Sequence, residues 1–427
     1  MTETTGPTYA VVTGGGTSGH VLPALAVADA LVAAGHDAAS IRYVGAERGV
    51  ETRLLPATPY PHTFLDVVGA QRRLTRANLG FVPKMLRSTR RAIRLLRTWR
   101  PHVVVSVGGY ASMPSVFAAR RLGIPVVVVS YDRTPGRASR LAARSAAACA
   151  VAFENSPLPR AELTGAPVRQ SILDVDRSSS QRRASACRSL GLDPARFVIA
   201  VMGGSLGSGV LNEAIAAYLR AHGDDAELAV RQITGERFAN NVEQFEGRVQ
   251  HQVVPYEGDM AAVYTACDLM VGRGGASTVH EVAVTGTPAI LVPWAASADD
   301  HQTDNVQWLS EVGGAVLLRE GELHRLGDTI DALRDDADRR AELGVAAGNR
   351  GAVHRSGALA GLIERVAITS QPSLRLPFSP PHRFALRCNV RSTRWSSDRF
   401  PRRHPRGHHS TSPSNIDSTS SESADRA

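Results

Sequence analysis

Long apolar runs are missing from this chain of 427 residues. None reaches the roughly 18 residues that a membrane-spanning helix needs, so none is expected. The first ten residues, MTETTGPTYA, lack a basic start and an apolar middle, so they do not read as a signal peptide. Cysteine is scarce: Cys149, Cys187, Cys267 and Cys388 stand far apart, without metal-ligand spacing. They are expected as small buried hydrophobes in a reducing compartment, and no metal site is expected. Aromatic residues make up only 5% of a chain that is 43% hydrophobic, so its cores must be built from Val, Ala and Leu. Buried parallel strands flanked by helices have that composition.

Acidic residues are absent from one internal stretch and thin in the tail. Between Arg72 and Arg100 there are ten basic residues and no acid, with Phe81, Val82, Met85, Leu86, Ile93 and Leu96 at roughly helical spacing. Two readings fit: an interfacial helix on anionic lipid, or a surface helix packed on its own sheet with a solvated basic face. From Gln371 onward the chain has 10 Arg against 4 Asp or Glu, which is +6 of the formal +9. That tail is rich in Arg, Ser, Pro and His. It is expected to lack a core, and no nucleic-acid partner is expected for it.

What the chain does have is a repeated strand, glycine turn and helix. Tyr9–Thr13 runs into Gly14-Gly15-Gly16-Thr17-Ser18-Gly19-His20; Val103–Val107 runs into Gly108-Gly109-Tyr110; Ile124–Val129 exits through Ser130-Tyr131-Asp132. The pattern resumes at Phe197–Met202 with Gly203-Gly204-Ser205, and at Leu269–Val271 with Gly272, Gly274 and Gly275 before a helix opening near Ala276, then an apolar strand Ala289–Pro293 and a polar loop Ser297–Asn305. Alternation of this kind specifies doubly wound parallel sheets, with ligand-binding loops at the strand C-termini. The fold class is therefore α/β, with two Rossmann-like halves facing a cleft. Residues 1–170 are assigned to the first half, 171–196 to a polar hinge, 197–368 to the second half and 369–427 to the tail.

The glycines of Gly14-x-Gly16-x-x-Gly19 match a dinucleotide fingerprint, but the acid that should end the next strand is displaced to Glu47, which weakens an NAD reading. No Lys-Ser or Lys-Thr follows, so the loop is not a P-loop. His20, at the loop exit, reads either as a base or sugar donor or as a helix-start histidine bonded to backbone. The helix start at Ala276, Ser277 and Thr278 is an anion site by its orphan N–H groups. Glu281, an acceptor-only carboxylate one turn further on, suits a ribose diol. Asp174 and Asp176 lie in the hinge and read as solvated charges rather than metal ligands.

Taken together, GGGTSGHVLPALAVADAL, SVGGYASMPSVFAA, TGAPVR, VMGGSLGSGVLNEAI, the stretch from Asp259 to Trp294 and DDHQTDN resemble the MurG family of bacterial N-acetylglucosaminyltransferases, over about Val11 to Arg365. The resemblance implies a GT-B fold, no cofactor and no metal. It implies UDP-GlcNAc as donor, held by Thr17, Ser18, Gly19, Asp132, Arg169, Ser205, Ala276, Ser277, Thr278, Glu281 and Gln302. It implies a lipid-linked muramyl-pentapeptide acceptor, with Tyr110, Ser130 and Tyr131 on its side, and His20 as the catalytic base. The basic segment Arg72 to Arg100 would then sit on the anionic inner face of the cell membrane, making the protein cytoplasmic and peripheral, in peptidoglycan synthesis. The chain departs from the family at Val129-Ser130-Tyr131-Asp132, where the family reads His-Glu-Gln-Asn. A paralogue with another acceptor is the competing expectation, followed by a non-catalytic nucleotide-sugar binder.

Overall fold

The computed structural model describes residues 7–16, 18–67, 81–204, 206–297 and 300–369. The first sheet has seven strands: β1 (Ala10–Thr13), β2 (Ile41–Ala46), β3 (His62–Leu65), β4 (Val103–Ser106), β5 (Val126–Ser130), β6 (Ala148–Val151) and β7 (Ala161–Leu163). Its order is β3-β2-β1-β4-β5-β6-β7, every pair parallel. The second sheet has β8 (Phe197–Met202), β9 (Leu228–Ile233), β10 (Gln250–Val254), β11 (Leu269–Arg273), β12 (Ala289–Val292) and β13 (Val316–Leu317). Its order is β10-β9-β8-β11-β12-β13, again all parallel. The central strands β1, β4 and β5 are buried along their whole length, which is why they read as unbroken Val-rich runs rather than alternating ones.

The covering helices are α1 (Ser18–Ala33), α2 (Glu51–Leu54), α3 (Phe81–Trp99), α4 (Met113–Leu122), α5 (Arg137–Ala143), α6 (Gln170–Leu173) and α7 (Ser180–Ser189). They continue with α8 (Gly209–His222), α9 (Met260–Ala266), α10 (Ala276–Thr285), α11 (His301–Ser310), α12 (Leu326–Asp335), α13 (Ala337–Gly351) and α14 (Ala358–Thr369). Each sheet reverses direction between its first and fourth strands, β1|β4 and β8|β11. The glycine turns Gly14–Gly16, Gly108–Gly109, Gly203–Gly204 and Gly274–Gly275 follow those four strands, at the two switch points where ligand crevices form. Arg53, beyond β2, reaches Glu236, beyond β9, at 3.4 Å. The C-terminal edges of the two sheets therefore face one another.

Three segments differ from the sequence reading. The polar stretch 171–196 is not an open linker. Ser179 caps α7 by accepting from the Arg182 N–H, and α7 packs on α9 with Cys187 buried. Ser297–Asn305, read as a loop, contains the first turn of α11, because Asn305, Val306 and Leu309 give it a buried face. The last helix, α14, was grouped with the second half by its position in the chain. It lies instead against α1, β4 and β6 of the first sheet, with Leu359, Leu362 and Ile363 buried there. Among the described residues no helix is long and apolar enough to cross a membrane.

Candidate functional site

The first glycine loop is clamped from below by a carboxylate that the sequence reading passed over. Glu51, fully buried at the start of α2, accepts the N–H of Gly16 at 3.1 Å and of Ala46 at 2.9 Å. Tyr43 donates its hydroxyl to the Gly14 carbonyl at 2.8 Å. Glu47, the first acid after β2, pairs with Arg91 on the surface at 3.3 Å. Gly45 and Gly49 around Glu51 were the available signal, since a side chain at either would crowd its carboxylate. From above, the Tyr110 ring closes on Gly16, where a Cβ would come within 2.9 Å of it. Gly109 is left-handed, at φ +74°, and a Cβ there would meet the Gly15 carbonyl oxygen at 2.6 Å, so only glycine lets the two loops touch. Thr17 lies outside the described residues. Ser18 and Gly19 fall on the first turn of α1.

His20 stands half-buried on that turn, over Gly108. It lines a cavity of about 200 Å³ with Gly109, Ser130, Tyr131, Asp132, Arg137 and Ser139. Burial pushes its imidazole below the ordinary histidine value, opposed by the charges of Asp132 and Glu51. Neutral imidazole is the form that can accept a proton. Tyr131 lies edge-on to it, ring centroids 6.4 Å apart, and donates its hydroxyl to the Gly19 carbonyl. Ser130, Tyr131 and Asp132 thus line one cavity with His20.

The second half contributes α10. Its N-cap is Gly275, which has no side chain to satisfy the helix start, so the N–H groups at Ala276, Ser277 and Thr278 present an uncapped positive end. Glu281 points back from the second turn and meets both halves. Its Oε1 lies 3.2 Å from Arg169 Nη2, and its Oε2 accepts the Tyr264 hydroxyl at 3.0 Å. Burial pushes its carboxyl up, and Arg169 and Tyr264 pull it back. Arg169 Nε is buried without a hydrogen-bond partner among the described residues. Leu22, Pro23, Arg169, Ser277 and Glu281 line one small pocket between the sheets.

Beside α10, the start of α11 carries Gln302, whose Oε1 accepts the Trp294 N–H at 2.9 Å. Asp132, one of the residues the resemblance places on the donor, accepts from the Asn305 side-chain amide of α11 at 3.2 Å, while the Arg133 N–H donates to Asn305 Oδ1 at 3.0 Å and Thr134 donates to Asp304 at 2.9 Å. Arg133 itself turns to Asp304 and Glu311, which leaves Arg137 as the cation sharing the cavity with Asp132. Ser205 lies outside the described residues. Asp174 and Asp176 are held by Gln170 and Ser178, away from this constellation.

Residues 72–80 of the basic segment also lie outside the described residues. The remainder, α3, buries Ala92 and Leu96 against the first sheet and packs on α4. Met85 and Ile93 are partly buried and Leu86 is exposed, while Arg87, Arg90, Arg91, Arg94 and Arg97 project from the exposed side.

Comparison with known proteins gives matches at the same places. Residues 10–151 match the glycosyltransferase family 28 N-terminal domain, and residues 198–355 match its C-terminal domain. A protein of Nocardioides sp. named UDP-N-acetylglucosamine–N-acetylmuramyl-(pentapeptide) pyrophosphoryl-undecaprenol N-acetylglucosamine transferase is 38% identical over 79% of this chain and 92% of its own. One of the same name from Desulforamulus reducens is 32% identical over 84% of this chain and 97% of its own. Among solved structures, MurG of Acinetobacter baumannii superposes with a TM-score of 0.61 at 27% identity, over 84% of this chain and all of that one. The UDP-GlcNAc 2-epimerase of Neisseria meningitidis shares the fold, with a TM-score of 0.59 at 12% identity, over 85% of this chain and all of that one.

Proposed function

The chain belongs to glycosyltransferase family 28, among the MurG-type enzymes, and we propose that it transfers N-acetylglucosamine from UDP-GlcNAc to undecaprenyl-pyrophosphoryl-MurNAc-pentapeptide. The observation that carries the assignment of roles is the meeting of Arg169 and Glu281 at the mouth of α10. A carboxylate is held by a guanidinium beside an uncapped helix start, with an unsatisfied guanidinium N–H next to it. In this reading Glu281 takes the ribose hydroxyls. The diphosphate lies on Ala276, Ser277 and Thr278, with Ser205 and the loop of Thr17, Ser18 and Gly19 closing over it. Gln302 holds sugar hydroxyls, oriented by its bond to the Trp294 backbone.

The acceptor hydroxyl attacks the anomeric carbon from the face opposite UDP. The new C–O bond forms as the bond to the β-phosphate oxygen breaks, and the configuration inverts. His20 takes the hydroxyl proton, which its lowered basicity permits at neutral pH. Negative charge developing on the leaving diphosphate is met by fixed N–H groups and the dipole of α10. Tyr110 and Ser130 border the acceptor. The exposed arginines of α3 would hold the enzyme on the anionic inner face of the cell membrane, by charge more than by insertion, since Leu96 is buried and Met85 and Ile93 are packed against the first half's own core.

A purified-enzyme assay with UDP-GlcNAc and the muramyl lipid tests this: formation of the disaccharide lipid with release of UDP is expected. Ser130, where the family has a carboxylate, favours a second reading in which the acceptor differs. Transfer to another lipid, with none to the muramyl lipid, would establish it.

A further inference from the structure

A chain of two buried histidines crosses the seam beneath the site. The Ala166 N–H donates to His354 Nδ1 at 2.9 Å, His354 Nε2 lies 3.0 Å from His280 Nδ1, and His280 Nε2 lies 2.8 Å from the Tyr131 carbonyl oxygen. An amide N–H can only donate and a carbonyl can only accept. His354 Nδ1 is therefore bare and His280 Nε2 carries a hydrogen. With both rings neutral, one direction remains: Ala166 N–H to His354, His354 Nε2–H to His280, His280 Nε2–H to Tyr131. Burial keeps them neutral, taking His280 down to about 4 and His354 to about 2. Phe153 and Trp308 pack on His280, and Trp308 also on His354. Gly165, at φ +81°, allows the approach, because a Cβ there would lie 2.8 Å from His354 Nδ1.

The chain continues past Tyr131. The Tyr131 hydroxyl is bonded to the Gly19 carbonyl, next to His20. His280 sits on α10 directly before Glu281, so Tyr131, held by its backbone at His280 and by its side chain at Gly19, links the donor-side helix to the turn that carries the base. We propose that His280 and His354 are positioning residues for the transfer reaction: they fix Tyr131, and through it the first turn of α1, so that His20 is aligned with a donor held on α10. This rests on the reading of His20 as base.

The test uses the full-length enzyme. His280→Asn keeps an acceptor, its Oδ1, near Nδ1 and loses the donor to Tyr131, whereas His280→Gln places an amide N–H near Nε2. The Asn variant is expected to lose about tenfold or more in kcat, with the KM for UDP-GlcNAc and the affinity for UDP within about threefold of wild type. The Gln variant is expected to recover most of the loss. Equal kcat in both variants and wild type would overturn the proposal, as would equal losses in both. Because either variant could fold poorly, nitrogen-15 shifts of the wild-type rings give an independent check. Both histidines should be neutral Nε2–H tautomers between about pH 6 and 9, and an Nδ1–H form at either contradicts the line. If His20→Ala stays active, the reading of His20 fails. If His20→Ala is inactive while His280→Asn matches wild type, only the positioning role fails.

Discussion

Arg169 and Glu281 lie on opposite halves of the molecule, and their side chains meet at 3.2 Å, each less than a quarter exposed. Burial alone raises the Glu281 carboxyl, and the guanidinium is the first influence restoring its charge. Removing the guanidinium by Arg169→Ala should therefore raise the Glu281 pKa further. If the ionised carboxylate is what binds ribose, the acid limb of UDP affinity moves to higher pH in this variant. Calorimetric titration with UDP across pH measures it, and an unmoved acid limb would count against the coupling.

His20 is expected to be indispensable for turnover but not for donor binding. His20→Ala should abolish transfer while UDP affinity stays within about threefold of wild type. Because burial lowers its pKa, the base remains neutral as pH falls through the ordinary histidine range near 6.5, so the acid limb of kcat lies below that value. Asp132 opposes the shift. Asp132→Asn should therefore lower the His20 pKa again and carry the limb to still lower pH. A limb that rises in this variant would contradict the assignment.

Glu51 should report through stability as well as rate. Glu51→Leu keeps much of the bulk but removes the oxygen, Oε1, that accepts both backbone N–H groups. It should cost about 1–3 kcal/mol, the usual penalty for a buried donor left unmatched. Chemical denaturation measures the loss. An unchanged midpoint would show that the carboxylate does not brace the Gly16 loop.

Membrane attachment should be electrostatic. Reversing Arg87, Arg90 and Arg94 to Glu removes charge from the exposed side of α3 while leaving Ala92 and Leu96 in place. At about 1 kcal/mol for each basic residue near an anionic surface, binding to vesicles containing acidic lipid should fall by more than about tenfold. It should also weaken with salt in the wild type. Sedimentation with vesicles would show it, and salt-independent binding would point to apolar insertion instead.

The sheets and their glycine turns were readable in the sequence because buried parallel strands leave unbroken Val-rich runs and glycines mark close approaches. Glu281 was readable too, from its distance past a helix start. The partnerships across the seam were not. Nothing in the sequence around Asp132 announces that Asn305, 173 positions later, will hold it. The His280–His354 contact likewise depends on how α10 packs against α13 and the turn Ala352–Arg355 that follows it. Glu51 was missed because the sequence was searched for a ligand-binding acid, and this one bonds backbone. The start of α11 was missed because its polar first turn, His301 to Asp304, resembles a loop until Val306 and Leu309 are seen to be buried.

The most direct test of the account is a calorimetric titration of UDP into wild type, Glu281→Ala and His20→Ala side by side. The account predicts tight binding to wild type and to His20→Ala. It predicts a loss of about tenfold or more for Glu281→Ala, the scale of hydrogen bonds to a charged group. Undiminished UDP affinity in Glu281→Ala would contradict it.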